Sequence, residues 1–290
     1  MTTAPSVVVG VDGSASSEAA CEIACAEAAS RGLPLTLLHA WEAYPLIPSG
    51  PWMPMPTLPD LTEVERSARQ TLLRAGDRVR EAAPGLDVEL RLVRSAPVEG
   101  LLQAGREAAL LVIGGVEHGR HDVGWLGPVP LHVAGHARCP VIVVPTAADA
   151  EGPVVVGIDD ACLSSAAIAF AFEQADRWHR ELRAVHAFAS AWGTFVTDSG
   201  RLADLHERAR AELSEALVGW GEKHPDVRVT ELVSTEHPVR ALRCAADDAS
   251  LLVLGSHGRG AVARYTLGSI STTLLRVAPC AVAVVTSTAG

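Results

Sequence analysis

The stretch best equipped for chemistry lies near the C-terminus. It reads Leu251-Leu252-Val253-Leu254-Gly255-Ser256-His257-Gly258-Arg259-Gly260 and continues to Gly268-Ser269-Ile270-Ser271-Thr272. An apolar run of strand length gives way to a glycine-rich loop, and a Gly-Ser pair then opens a helical pattern. Gly255 and Gly258 lack a Cβ, so the backbone can take a positive φ and lie against a phosphate chain. Ser269 and Ser271, with Ile270 between them, fall where a helix leaves amide donors unpaired. Such donors face an anion; the alternative is turn glycines followed by Ser269 as an ordinary N-cap. Arg259 sits in the loop, where it either screens phosphates or is simply solvated, and Arg264 and His257 pose the same choice. Phosphoryl transfer of the P-loop kind is excluded by residue identity. That loop needs a lysine after its glycines, and the only lysine is Lys223. No Gly-x-Ser-x-Gly elbow occurs, and no Ser/His/Asp set is indicated.

The elements that must position this loop follow from composition and repetition. A length of 290 residues points to about two domains, and a hydrophobic fraction of 48% with 4% aromatic suits aliphatic cores around parallel sheets. The net charge of −10 opposes nucleic-acid phosphates and anionic lipid, so neither is expected as a partner. Apolar runs stay below the ~18 residues a membrane span needs. The N-terminus has no charged leader pattern, and a cytoplasmic location is expected. Six cysteines, Cys21, Cys25, Cys139, Cys162, Cys244 and Cys280, form no Cys-x-x-Cys and read as reduced thiols.

The chain is an internal duplication. Val7-Val8-Val9-Gly10-Val11-Asp12 recurs as Val154-Val155-Val156-Gly157-Ile158-Asp159, and Leu110-Leu111-Val112-Ile113-Gly114 recurs as Leu251-Leu252-Val253-Leu254-Gly255. The His39-Ala40 and His186-Ala187 strands match, as do the valine-rich strands after Cys139 and Cys280. Helical text separates the strands, with long stretches at 61–83 and 201–223. Each half therefore reads βαβαβαβαβ, an α/β fold with a parallel sheet covered by helices on both faces. The expected domains span 1–146 and 152–287, joined by a small polar linker. A proline-rich insert at 44–59 distinguishes the first half, either covering a site or lying on its own domain.

The spacing Gly255, two residues, Gly258, nine residues, Gly268-Ser269 resembles the nucleotide motif of the ATP-binding universal stress proteins. The resemblance runs through both halves and implies two Rossmann-like domains with strand order 3-2-1-4-5. It also implies that Asp159, closing the first strand of its half, lies by the adenosine. Ala187 then lines the adenine pocket and Leu254 flanks it. With Asp160, Ser256, Gly258, Arg259, Gly268, Ser269, Ile270 and Ser271 these residues make the candidate site for ATP, with Mg2+ accompanying. On the residues alone, Ala187 and Leu254 are ordinary core positions. By the same resemblance the last strand of each half pairs antiparallel between domains, and whole chains form a homodimer through edge strands.

The two sites are unequal. Aligned without a gap, Glu117 replaces Gly258, and Pro128 and Pro130 replace Ser269 and Ser271, while Gly114 and Gly127 persist. Proline offers no N–H to a phosphate, and the added carboxylate repels one. The first half is thus expected to bind ATP weakly or not at all. In the second half Asp160 departs from the Gly13-Ser14 that follows Asp12, which clouds the adenosine end. The resemblance implies a regulatory, stress-response nucleotide-binding module. Slow ATP hydrolysis at the same site and a scaffold that has ceased to bind nucleotide are the alternatives.

Overall fold

A computed structural model describes residues 5–42, 60–115, 126–145, 151–159, 161–188, 199–256 and 267–286. The first half runs β1 (Val7–Gly10), α1 (Ala15–Arg31), β2 (Leu35–Trp41), α2 (Leu61–Ala82), β3 (Val88–Arg94), α3 (Pro97–Ala104), β4 (Leu110–Gly114), α4 (Pro128–His136) and β5 (Val141–Val144). The second runs β6 (Val154–Gly157), α5 (Ala161–Trp178), β7 (Leu182–Ala187), α6 (Ser199–Leu217), α7 (Trp220–Lys223), β8 (Val229–Ser234), α8 (Pro238–Ala245), β9 (Leu251–Gly255), α9 (Ser269–Val277) and β10 (Ala281–Val285). The expected single helix over 201–223 is broken. Gly219 takes φ 79, a left-handed conformation, and restarts the chain as α7.

Valine- and leucine-rich strands join in one sheet of ten among the described residues, in the order β3-β2-β1-β4-β5-β10-β9-β6-β7-β8. Each half keeps the order 3-2-1-4-5 with parallel pairing inside it. The halves meet where β5 and β10 pair antiparallel, with Val282 opposite Val143 and Val284 opposite Val141. The last strands of the two halves thus pair antiparallel between the domains, as expected, and β3 and β8 are the outer strands among the described residues. Both carry charge, Glu89 and Arg91 on β3 and Glu231 on β8.

Alternate residues of the strands enter two cores, because successive side chains point to opposite faces. Val7, Val9, Val112, Ile142, Val156 and Ala283 pack with α1, α2, α5 and α6. Val8, Leu111, Val143, Leu252, Leu254 and Val284 pack with α3, α4, α8 and α9. Both cores run through the seam, so the halves share their buried surface.

A polar cluster sits on the seam between α1 and α5. Glu27 and Gln174, fifteen residues beyond Asp12 and Asp159 respectively, occupy the same position in the two copies and are both fully buried. Gln174 Nε2 donates to Glu27 Oε1 at 2.7 Å, Arg31 Nε donates to Glu27 Oε2 at 2.8 Å, and an Arg31 terminal nitrogen donates to Gln174 Oε1 at 2.7 Å. Both oxygens of the buried Glu27 carboxylate and both polar atoms of the buried Gln174 amide thus have partners, which is the condition for tolerating a charge there. No helix among the described residues is long and apolar enough to cross a membrane.

Candidate functional site

In each half the first strand is followed by a crossover to one side and flanked by the fourth strand on the other. Ligands in open α/β sheets bind at such a switch point, beyond the strand carboxyl ends. In the second half this brings Asp159, just past β6, beside Gly255 and Ser256 at the end of β9, since Val156 and Val253 are register partners. Asp159 is exposed, and its N–H donates to Ser164 Oγ at 3.4 Å.

The glycine-rich loop is closed at its base by backbone bonds. Ser256 N–H donates to Val285 O at 3.0 Å, and Gly268 N–H donates to Ser256 O at 2.9 Å. Chain leaving at Ser256 is thereby back at the same point by Gly268. Gly268 is the N-cap of α9 in an extended conformation and brings no side chain to cap the helix. The first intrahelical bond runs from Thr272 N–H to Gly268 O at 2.9 Å, so the N–H groups of Ser269, Ile270 and Ser271 have no partner inside the helix. Three amides at the positive end of a helix dipole, beside a closed loop, form a cradle for an anion.

Ser271 has a different part from the one its position suggests. Its hydroxyl donates to Gly255 O at 2.9 Å and is nearly buried, so it ties α9 to the end of β9, and its backbone N–H is what it has for an anion. Ser269 is exposed at the first helical position. Ala187 is half-buried at the end of β7, while Leu254 is buried with Leu242 against Gly157. Candidates Asp160, Gly258 and Arg259, together with His257 and Arg264, lie outside the described residues, as do Glu117 and the insert at 44–59.

The first half retains the same skeleton. Gly115 N–H donates to Val144 O at 2.8 Å, and Gly127 N–H donates to Gly115 O at 3.2 Å, repeating the loop closure of the second half. A Cβ on Gly114 would lie 2.6 Å from Ser16 Oγ and 2.8 Å from Ser17 N, so only glycine lets β4 end against the start of α1. A cleft of about 170 Å³ opens there, walled by Leu38, Ala40, Leu101 and Ile113, with Asp12 and Gly127 also lining it. Sequence reading missed this cavity, because its walls are apolar positions that look like core.

The matched histidines are structural. His39 Nδ1 donates to Val11 O at 2.5 Å and His186 Nδ1 to Ile158 O at 2.7 Å, each joining the second strand of its half to the chain just beyond the first. Serines at the start of α1 also shape the first site. Ser14 caps α1 by accepting from Ser17 N–H at 3.1 Å, and Ser14 N–H donates to Asp12 Oδ1 at 2.8 Å. The thiols are built into the frame. Burial pushes Cys21 and Cys280 up to about 12 and Cys139 up to about 11, while Cys244 is exposed.

Comparisons agree on one family. The profile of the universal stress protein family matches residues 5–145 and again 152–286. A universal stress protein of Mycobacterium tuberculosis is 37% identical over 283 residues, covering 94% of each chain. One from Mycolicibacterium smegmatis is 32% identical over 289 residues, covering 96% of each. The crystal structure of a universal stress protein from Archaeoglobus fulgidus superposes with a TM-score of 0.66 at 17% identity, over 97% of this chain and 98% of that one.

Proposed function

This chain belongs to the universal stress protein family, and on that premise we propose that it is a regulatory nucleotide-binding module whose C-terminal half holds ATP. The observation that carries the reading is the start of α9. Three backbone N–H groups without helical partners stand beside a loop whose ends are bonded together at the switch point of the sheet. In this reading Ser269, Ile270 and Ser271 donate to the phosphates, Gly255 and Gly258 let the backbone approach them, and Arg259 screens their charge. Asp159, with Asp160, faces the ribose end, and Ala187 borders the base. Among the described residues no group of three or more His, Cys, Asp or Glu is placed to hold a metal ion. The Mg2+ that accompanies ATP in this reading neutralises phosphate charge.

The role proposed is response to stress, in the cytoplasm, through a change of partner contacts on nucleotide binding. A homodimer through sheet edges belongs to the same proposal. With β5 and β10 paired to each other, the edges left for a second chain are β3 and β8. A strictly monomeric chain by light scattering over a wide concentration range would remove that part.

The test of the ATP site copies the first half into the second. Calorimetric titration of ATP with magnesium into nucleotide-free protein is run beside the Ser269→Pro/Ser271→Pro variant. Proline is tolerated in a first helical turn, as α4 shows with Pro128 and Pro130, so the helix survives while two donors go. A hydrogen bond to a charged group contributes ~1.5–3 kcal/mol, so the pair predicts a loss of ~100-fold or more. Unchanged affinity, or no binding by the parent chain, sinks the reading.

A further inference from the structure

The first half contains a formed cleft whose anion end has been dismantled while its other walls have been kept. Corresponding residues line the two halves. Gly10 packs against Leu101 and Ile113 as Gly157 packs against Leu242 and Leu254, and Ala40 stands where Ala187 stands. The loop closure through Gly127 N–H and Gly115 O is intact. Among the described residues at the anion end, the change lies at the start of α4. Of the three N–H groups that a helix presents there, Pro128 and Pro130 remove two, leaving Val129, and the serine hydroxyls of α9 have no equivalents.

What remains at the mouth is an exposed carboxylate. Asp12 Oδ1 accepts from Ser14 N–H at 2.8 Å, which fixes the side chain at the end of β1. A carboxylate accepts hydrogen bonds from hydroxyl groups. The cleft volume of about 170 Å³ is smaller than the ~300–1,000 Å³ of drug-sized sites. An apolar slot, a carboxylate acceptor at its mouth and a helix start stripped of donors suit a flat, neutral group bearing hydroxyls.

We propose that the N-terminal cleft binds an uncharged nucleoside and rejects its phosphate esters, so that one chain reads two phosphorylation states of the same kind of molecule. The nucleoside class rests on the nucleotide reading of the second half, from which the shared walls are carried over. The rejection of phosphate rests on α4 alone. Binding a phosphate ester would strip water from its charge with one backbone donor at the helix start in place of three, and two missing charge-assisted bonds correspond to ~100-fold or more in affinity.

The experiment uses the full chain and titrates adenosine, AMP and ATP with magnesium. The Ala187→Leu variant fills the base end of the second cleft, so that binding by it reports the first. Expected is one adenosine per chain, with AMP and ATP at least ~100-fold weaker, and loss of adenosine when Ala40→Leu is added. A gain-of-binding variant guards against damage by these fillings. Pro128→Ser/Pro130→Ser, made in the Ala187→Leu chain, restores two donors and is expected to tighten AMP by ~100-fold while adenosine stays the same. No adenosine binding in the parent and Ala187→Leu chains overturns the proposal. Equal affinity for adenosine and AMP overturns it too, as does a serine pair that leaves AMP unchanged. Failure of the nucleotide reading shows separately, as a parent chain whose ATP binding is untouched by Ser269→Pro/Ser271→Pro.

Discussion

Gln174→Glu places a second carboxylate against the first at the centre of the seam. Gln174 Nε2 donates to Glu27 Oε1 at 2.7 Å, and both residues are fully buried. The replacement has nearly the same shape but turns a donor into an acceptor with charge. Two carboxylates with charge centres about 4 Å apart repel by ~4 kcal/mol at an effective dielectric constant of ~20, and the lost hydrogen bond adds ~1 kcal/mol. Arg31, bonded to both residues, returns part of this through its new attraction to the second charge. Protonating one carboxyl sets a ceiling. Starting from a reference value near 4.3, it costs ~1.4 kcal/mol per pH unit, hence ~4 kcal/mol at pH 7. The net deficit expected at pH 7 is ~2–3 kcal/mol, which lowers Tm by roughly 4–12 °C for a protein of this size class.

The sign of the pH dependence is the sharper test. In the variant the folded carboxylate pair holds a proton more tightly than the unfolded chain does, so folding favours the protonated pair. That contribution is fully present below the unfolded value near 4.3 and is lost as pH rises through the folded value. The gap in Tm between variant and parent should therefore be about 1 kcal/mol's worth at pH 5 and should widen toward pH 8, measured by circular dichroism melts on the full chain. The exchange Glu27→Gln/Gln174→Glu keeps one charge and one amide and should recover most of the loss. An unchanged Tm for Gln174→Glu, or a gap that is larger at pH 5 than at pH 8, would refute the account of the seam.

Gly114→Ala should destabilise by ~1–3 kcal/mol in urea unfolding, because the new Cβ meets backbone of Ser16 and Ser17 at 2.8 Å; Gly85→Ala, with nothing within 4 Å, should stay within ~0.5 kcal/mol. Ser271→Ala removes the bond to Gly255 O and should cost ~1 kcal/mol of stability, while ATP affinity falls less than ~3-fold because the hydroxyl is committed to that carbonyl; a large affinity loss would place the hydroxyl on the ligand. At pH 8, where thiols pushed up to about 11 or 12 are almost wholly protonated, Cys139 and Cys280 should resist iodoacetamide until denaturant is added, whereas exposed Cys244 reacts first, as peptide mapping would show.

The architecture was readable because strands buried on both faces appear as unbroken apolar runs, and these four runs recur in order. Helix ends were readable where a residue type has a backbone reason, as at Gly32, left-handed with φ 63, which closes α1. The break at Gly219 escaped because glycine inside a helical pattern is tolerated as often as it interrupts, and only the surrounding packing decides. Seam chemistry was out of reach for another reason: Glu27 and Gln174 meet across the join of β5 and β10, and each alone looks like an ordinary polar residue on a helix. Within the sites, loss of donors at Pro128 and Pro130 follows from residue identity. The survival of the cleft behind them does not, since Leu38, Leu101 and Ile113 have the composition of core whether or not space lies in front of them.

The antiparallel joint between β5 and β10 has a consequence for how the molecule meets others. Every strand of one half points opposite to every strand of the other, so the strand carboxyl ends that carry the two candidate sites lie on opposite rims of a single continuous sheet. Their occupants cannot touch, and a protein bound over one rim leaves the other mouth uncovered. If both proposals hold, the chain would act as a two-ended coupler, displaying one ligand state to each of two neighbours at once, with ten strands setting the distance between them.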